Sequence, residues 1–425
     1  MRSFRATQNL VAVSAALRES AINTEQTLST SMLVEMTDVA DVDPRRENNA
    51  NELTGKEEPD TVYDLGRLSV MPMTFNKAQP QHFAFLLAYG LGAIATAAAG
   101  TGYQHTITPI ANDLDAYRSN PSFTAAMRYG LTVAKRRFAS MFVDSLVATF
   151  AKDDWCKVSA QCKGTGKMAS TIVEETLTAA ENATQLTLAA NAVAGGDAAA
   201  RLDSVHRIRV ELTAGVWTEV TYSAVSAATP AVITISAPGG VATSRTYKVL
   251  YSPTEPAWPS FPARVVETPL RVSQLTLTLG GKWNGTAFVG GRAVRAELSS
   301  LAWNFANNLE IEFLPGAGDA YASRAFRPSR SQSIALSREF RDYILQNYIE
   351  QNETFGLYVL AEGALYDGSN KYQVELIFPK LGVIKAPISV DGKKNAEAGD
   401  LIVLQDDTYG SVIAKVKNLV SGYAA

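Results

Sequence analysis

Apolar and polar residues alternate with a period of two along most of this chain, the signature of half-buried strands. RLSVMPMTF (67–75), YQHTITPI (103–110), SFTAAMRYG (122–130) and FASMFVDSLVATF (138–150) carry it, and the last turns through AKDD into WCKVSAQCKG (155–164) as a hairpin. Two stretches break the alternation with helical spacing. QHFAFLLAYG follows Pro80, a good first helical residue, and Gly90 and Gly92 fit its end. RDYILQNYIEQN follows Phe340, and Phe340, Ile344, Leu345, Tyr348 and Ile349 share one face of a helix. Pro72 marks an edge or bulge in its strand.

The order of these elements recurs about 265 residues further on, and self-similarity at a fixed offset is a statement about fold. MLVEM (32–36), a polar loop, RLSVMPMTF and a helix are answered by SLAWNF, a polar loop, QSIALSREF and a helix. VDSLVATF, AKDD and WCKVSAQCKG are answered by VIKAPISV, DGKKNAEAGD and LIVLQDD. LAWNFANNLEIEF reads as a strand pair turning near Asn307-Asn308, and QLTLTLGGKWNGTAFVGG as a hairpin around Asn284-Gly285. Between the copies, ATQLTLAA, VHRIRVELT, WTEVTYSAV, AVITISAP and TYKVLYSP suggest a small all-β, sandwich-like insert closed by the Pro-rich PTEPAWPSFP. The expected organisation is an N-terminal arm with one short helix (1–30), a first module (31–168), the insert and linker (169–258) and a second module (259–425).

Charge sharpens the loops. From Thr37 to Asp60 the acids Asp38, Asp41, Asp43, Glu47, Glu52, Glu57, Glu58 and Asp60 face only Arg45, Arg46 and Lys56, without apolar periodicity, which reads as a long exposed loop. The net charge of −3 argues against a general nucleic-acid binder, but it suits a channel that lets DNA pass, where basic contacts would act as brakes. No apolar run is long enough for a transmembrane helix, so no membrane partner is expected. LVAVSAAL runs into Arg18 and Glu19 and reads as part of an arm, not a signal peptide.

Chemistry finds no purchase. The three histidines, His82, His105 and His206, stand at no metal-ligand spacing. Cys156 and Cys162 on one strand would lie about 20 Å apart, beyond disulfide reach, and read as half-buried reduced thiols. GTGKMAST (164–171) lacks the glycine spacing of a phosphate loop and has Met168 after its lysine. DVADVDP lacks the glycine and closing glutamate of a calcium loop, and Asp153-Asp154 and Glu57-Glu58 are adjacent acids on turns. Neither enzyme activity nor a cofactor is expected.

ALRESAINTEQ, LTGKEEPDTV, HFAFLLAYGLGA with its Leu91-Gly92 pair, and FVDSLVATFAKDDWCKVSAQCKGTG resemble the tail tube (major tail protein) family of long-tailed bacteriophages. LTLTLGGKWNGTAF, LAWNFANNLE, QSIALSREF and LIFPKLGVIKAPISVDG extend the resemblance, which covers most of 10–168 and 259–425. It implies a mainly β, α+β chain with two split β-barrel or sandwich modules, each flanked by a helix, and the all-β insert is extra. It also implies a virion protein, assembled in the host bacterial cytoplasm, whose rings stack head-to-tail into the tube that DNA leaves through. Two modules per chain suggest a trimeric, pseudo-sixfold ring, with a hexamer as the alternative. Tail terminator, baseplate and tape-measure proteins are the further partners implied.

By this resemblance, segments 37–60 and 314–330 take the place of the ring-stacking loop, with Asp38, Asp41, Asp43, Arg45, Arg46, Glu57, Glu58, Arg324, Arg327 and Arg330 as candidates. Asp153, Asp154, Glu310 and Glu312 are lumen candidates. The competing expectations are a sheath, terminator or baseplate hub subunit, or an adhesive, carbohydrate-binding module for which Trp217, Tyr222 and Trp258 argue.

Overall fold

The computed structural model describes residues 5–110, 120–130, 135–254, 261–315 and 318–424. The chain is mainly β, of the α+β class, with several antiparallel sheets and no closed barrel among the described residues. The expected linker run 255–260, with Trp258, lies outside them. Two compact units emerge. One gathers Met1–Val11, Ala126–Arg137 and Met168–Phe261; the other gathers Ala12–Ala125, Phe138–Lys167 and Pro262–Ala425. Both proposed modules therefore contribute to a single unit.

That larger unit is built on one large antiparallel sheet, of which eight strands form what we call the wall: β1 (Asp41–Asn48), β2 (Val62–Phe75), β3 (Lys135–Ala151), β4 (Lys157–Gly164), β5 (Leu298–Ala306), β6 (Ser331–Glu339), β7 (Lys371–Lys385) and β8 (Lys394–Val403). Neighbours run β1-β2-β4-β3-β5-β6-β8-β7. The order 1-2-4-3 is repeated as 5-6-8-7. A helix follows the second strand of each repeat: α1 (Pro80–Leu91) after β2 and α2 (Ile344–Gln351) after β6. The first half of β7 also joins strands Phe355–Leu365 and Ile413–Asn418, and the latter continues through Gly102–Pro109 to Gly92–Ala99.

Every residue of α1 is buried. A helix apolar on all sides belongs between layers, and α1 packs Phe83 against Phe150 of β3 (ring centroids 6.3 Å apart) while touching strands Gly102–Pro109 and Ile413–Asn418. Its start is fixed by Pro80 and by the Gln79 N–H donating to His82 Nδ1 at 3.2 Å. It ends because Gly92 is left-handed, with φ of +94°. By contrast, α2 is amphipathic, with Leu345 its buried anchor.

Several expectations need correction. Segment 37–60 is not one loop: its middle is strand β1, paired with β2. Nearly all of β1 is exposed, so no core imposes alternation on its sequence, and pairing with β2 alone makes it a strand. The strand preceding it is only Thr30–Met32, so β1, not MLVEM, is the counterpart of β5. LAWNF and LEIEF do not pair with each other. Glu310–Glu312 pairs with Arg324–Phe326 in a separate two-stranded ribbon, because Asn307 and left-handed Asn308 (φ +49°) turn the chain off the wall. The first 30 residues hold a 3₁₀ turn and a strand where a helix was expected. From Ala12 onward this segment is held down: Tyr89 Oη donates to Ser14 O (2.8 Å), and buried Glu19 accepts from Ser122 Oγ (2.8 Å), Thr124 Oγ1 (2.7 Å) and Ser140 N (2.9 Å). Both cysteines are fully buried, not half-buried.

The smaller unit contains two sheets. Strands Val173–Ala180, Ser244–Tyr251, Val205–Thr213 and Val216–Glu219 form one; Gln185–Thr187, Val232–Ile235 and Tyr222–Val225 form the other. Their apolar faces share a core of Leu186, Ile208, Val210, Ile233, Tyr247 and Val249. Val173–Ala180 has no signal in the sequence, since its side chains are mostly exposed or half-exposed and only Leu177 and Ala179 pack on that core. No described helix is long and apolar enough to cross a membrane.

Candidate assembly surfaces

The wall has two contrasting faces. Toward the core point Met73, Leu146, Ala148, Phe150, Leu301, Trp303, Phe305, Ile334, Leu336 and Leu401, all buried. The alternate residues are mostly small: Ser145, Val147 and Thr149 on β3, Ser159 on β4 beside the longer Gln161, Ala302 and Asn304 on β5, Ser331, Ser333, Ala335 and Ser337 on β6, and Ala396 and Ala398 on β8; Val70 of β2, opposite Lys163, and Ile402 of β8, opposite Ser333, add exposed apolar side chains. Because β-strand side chains alternate strictly, burying the apolar set obliges this second set to share the opposite face.

Charges around the second face are paired. Lys163 meets Asp144 (2.8 Å), Lys157 meets Asp154 (2.6 Å), and Lys385 meets Asp400 (3.0 Å); Lys394 meets Glu339 (2.5 Å). The face is therefore close to neutral. Of the expected lumen residues, Asp153 and Asp154 occupy the β3–β4 turn, where Asp153 is left-handed and Asp154 caps the Trp155 N–H (2.7 Å). The Lys157 ammonium and this N–H hold the Asp154 carboxyl below its usual range. Glu310 and Glu312 stand on the separate ribbon, where Glu312 lies 3.7 Å from Arg324. The ribbon is not part of the wall. The residues that alternate with the apolar set in SLVATF and SLAWNF lie on the second face of the wall.

The wall also has two unpaired edges. Among the described residues β1 pairs only with β2, and Gly382–Lys385 of β7 pairs only with β8. Within the chain, the two repeats are joined by β3 and β5, in register from Ser300 opposite Ala151 to Ala306 opposite Ser145. By repeat position, β7 is the equivalent of β3 and β1 of β5. The free edges are thus the same pair of strands that make the internal joint. Pro44, the register shift beside it and the exposed charges of β1 are the devices that stop indiscriminate edge pairing.

The β1–β2 hairpin projects as a two-stranded arm bearing exposed Val62, Tyr63 and Leu65. Its candidates divide. Asp41, Asp43, Arg45 and Arg46 are exposed on β1, and Glu57 and Glu58 are exposed in the tip. Asp38 is buried below the arm, where its carboxylate accepts the Thr74 N–H, and burial raises its pKa. Phe313 and Ala320 are brought to the arm's base: the Arg45 guanidinium sits 5.4 Å from the centre of the Phe313 ring, and the Arg67 N–H donates to Ala320 O (2.8 Å). Arg324 is exposed, whereas Arg327 is buried and Arg330 is half-buried.

No group of three or more potential metal ligands occurs among the described residues. His82 is buried against the Phe75 ring (centroids 4.0 Å apart), and burial pushes its pKa down to about 3. GTGKMAST leads from β4 through left-handed Gly166 into a short strand, Met168–Ser170, with no helix N-terminus to bind phosphate. In the smaller unit Trp217 has Lys248 Nζ at 4.8 Å and the Arg209 guanidinium at 5.4 Å from its ring centre. Tyr222 donates its hydroxyl to Val205 O (2.5 Å). No protein-family model matches the chain, and no curated protein matches it in sequence.

Proposed function

We propose that this chain is a wall subunit of a hollow self-assembled tube, the tail tube of a long-tailed bacteriophage, through which duplex DNA passes without specific binding. The observation that carries the reading is the repeated strand order with its internal β3–β5 joint and its two equivalent open edges. Placing β1 of a second copy beside Gly382–Lys385 of the first repeats between chains the joint already made within one. Such a contact is heterologous, so it continues until it closes into a ring. Closure also removes edges that would otherwise invite aggregation.

Two repeats per chain make three chains sufficient for a six-repeat ring, with six chains as the alternative. The small, charge-paired face suits a lumen, since a basic face would hold phosphate through counterion release and slow the DNA. Exposed residues of the β1–β2 arm are the natural contacts for stacking rings head-to-tail, and the tube's ends would meet terminator, baseplate and tape-measure proteins. The tube would be assembled in the host cytoplasm and carried in the virion tail. Electron microscopy and mass measurement of the purified chain test this. Hollow tubes of DNA width with three chains per ring are expected; six per ring would refute the trimer, and a chain that stays monomeric at high concentration would refute the tube.

A further inference from the structure

A cleft of about 320 Å³ beside the start of β6 plays no part in the joints described above, and its lining includes Arg327, Arg330, Ser329, Gln332, Gln405 and Ser411. No aspartate or glutamate lines it among the described residues. Arg330 donates from Nε to Asn307 Oδ1 (3.3 Å) and lies over the Phe305 ring (5.6 Å), while its Nη2 is buried with no hydrogen-bond partner. Arg327 donates from Nη1 to Asn120 Oδ1 (3.0 Å). Both asparagines are fixed in turn, because each Nδ2 donates to the same carbonyl, Gly90 O, at 3.2 Å from Asn120 and 2.9 Å from Asn307. One carbonyl in the last turn of α1 therefore braces both guanidiniums. Also in the lining, Gln332 Nε2 donates to Ser411 Oγ (2.8 Å), leaving the serine hydrogen free to be donated.

This is an expensive place for a cation. A buried guanidinium short of acceptors loses hydration that a nearby counter-charge would restore. Burial, with the like charge of Arg327, pushes Arg330 down to about 9, the direction expected of a cation short of counter-charge. We propose that the cleft binds an oxyanion, a phosphate or a carboxylate group, held by Arg330 and the Ser411 hydroxyl. A planar guanidinium suits both groups, which it can meet through paired N–H donors. The site lies within one chain, so it neither requires nor tests the tube.

Isothermal titration of the purified full chain with inorganic phosphate, and separately with glutarate, both against sodium chloride at matched ionic strength, tests the proposal. One saturable site is expected for at least one of the two anions. Arg330→Gln should weaken it about ten-fold or more, the worth of a hydrogen bond to a charged group, with partial recovery in Arg330→Lys. Ser411→Ala should weaken it several-fold, and serves where Arg330→Gln melts early by circular dichroism. Saturation by phosphate alone assigns a phosphate-type ligand, and by glutarate alone a carboxylate. No saturation by either, or unchanged affinity in Ser411→Ala and in the folded Arg330 variants, overturns the site.

Discussion

Arg338 and Glu397 face each other across β6 and β8, and both side chains are 0% exposed. Arg338 reaches Glu397 Oε2 from Nε (2.8 Å) and from Nη2 (2.7 Å), and its Nη2 also meets Asp342 Oδ1 at 2.9 Å. Asp342 in turn accepts the Ile344 N–H (3.1 Å) at the start of α2, and Glu397 Oε1 accepts from Gln346 Nε2 (3.3 Å). This cluster thus ties the second repeat's helix to the wall. Glu397→Gln keeps the shape but leaves a buried guanidinium with Asp342 as its remaining counter-charge. Removing one partner of a buried pair costs about 3–5 kcal/mol, and the surviving Asp342 contact puts the expectation near the low end, about 3 kcal/mol. With a urea dependence of about 3 kcal/mol per molar for a unit of this size, the unfolding midpoint should fall by about 1 M. Replacing both partners, as Arg338→Met with Glu397→Leu, should recover most of that loss, because two desolvated charges leave together. Urea unfolding followed by tryptophan fluorescence measures Glu397→Gln and the cycle of wild type, Arg338→Met, Glu397→Leu and the double variant. A single-variant cost below about 1 kcal/mol, or a double variant equal to the sum of its singles, would refute the reasoning.

Three further outcomes follow from buried groups and backbone. Glu267 accepts the Gln81 N–H (2.8 Å) in the first turn of α1, and burial raises its carboxyl to about 7 from 4.5. A raised folded pKa stabilises below the unfolded value and is lost as pH rises through the folded one. Its contribution, at most about 3 kcal/mol, should therefore decline between about pH 4.5 and 7 and be absent in Glu267→Gln; equal pH profiles for the two proteins would exclude it. Burial pushes the Cys156 thiol up to about 12 and that of Cys162 higher still, so neither should react with an aromatic disulfide reagent at pH 8 until denaturant is added, and rapid native labelling would contradict the buried placement. Gly92→Ala should destabilise by about 1–2 kcal/mol or more, since φ is +94° and the new methyl would stand 2.5 Å from Ile110 Cδ1; an unchanged thermal midpoint would count against this account of the α1 stop.

The sequence by itself determined whatever is local. Alternation marked most wall strands and both faces of β3 and β5, and Pro80 and Gly92 marked the ends of α1 because proline and left-handed glycine act on their own backbone. Asn284-Gly285 marked a hairpin for the same reason. The Arg338–Glu397 pair, the Glu19 anchor and the bracing of Arg327 and Arg330 through Gly90 were invisible, since each joins residues far apart in the chain. Strand β1 was missed because an exposed strand needs no apolar pattern, and LEIEF, with Glu310 and Glu312, was read as pairing with LAWNF because only tertiary structure turns the chain away at Asn307. The tertiary structure also decided that β3 lies beside β5 and that β1 and the end of β7 are left open. Strand edges pair through backbone groups that are the same at every residue, so which edges meet is settled by the packing of the whole unit.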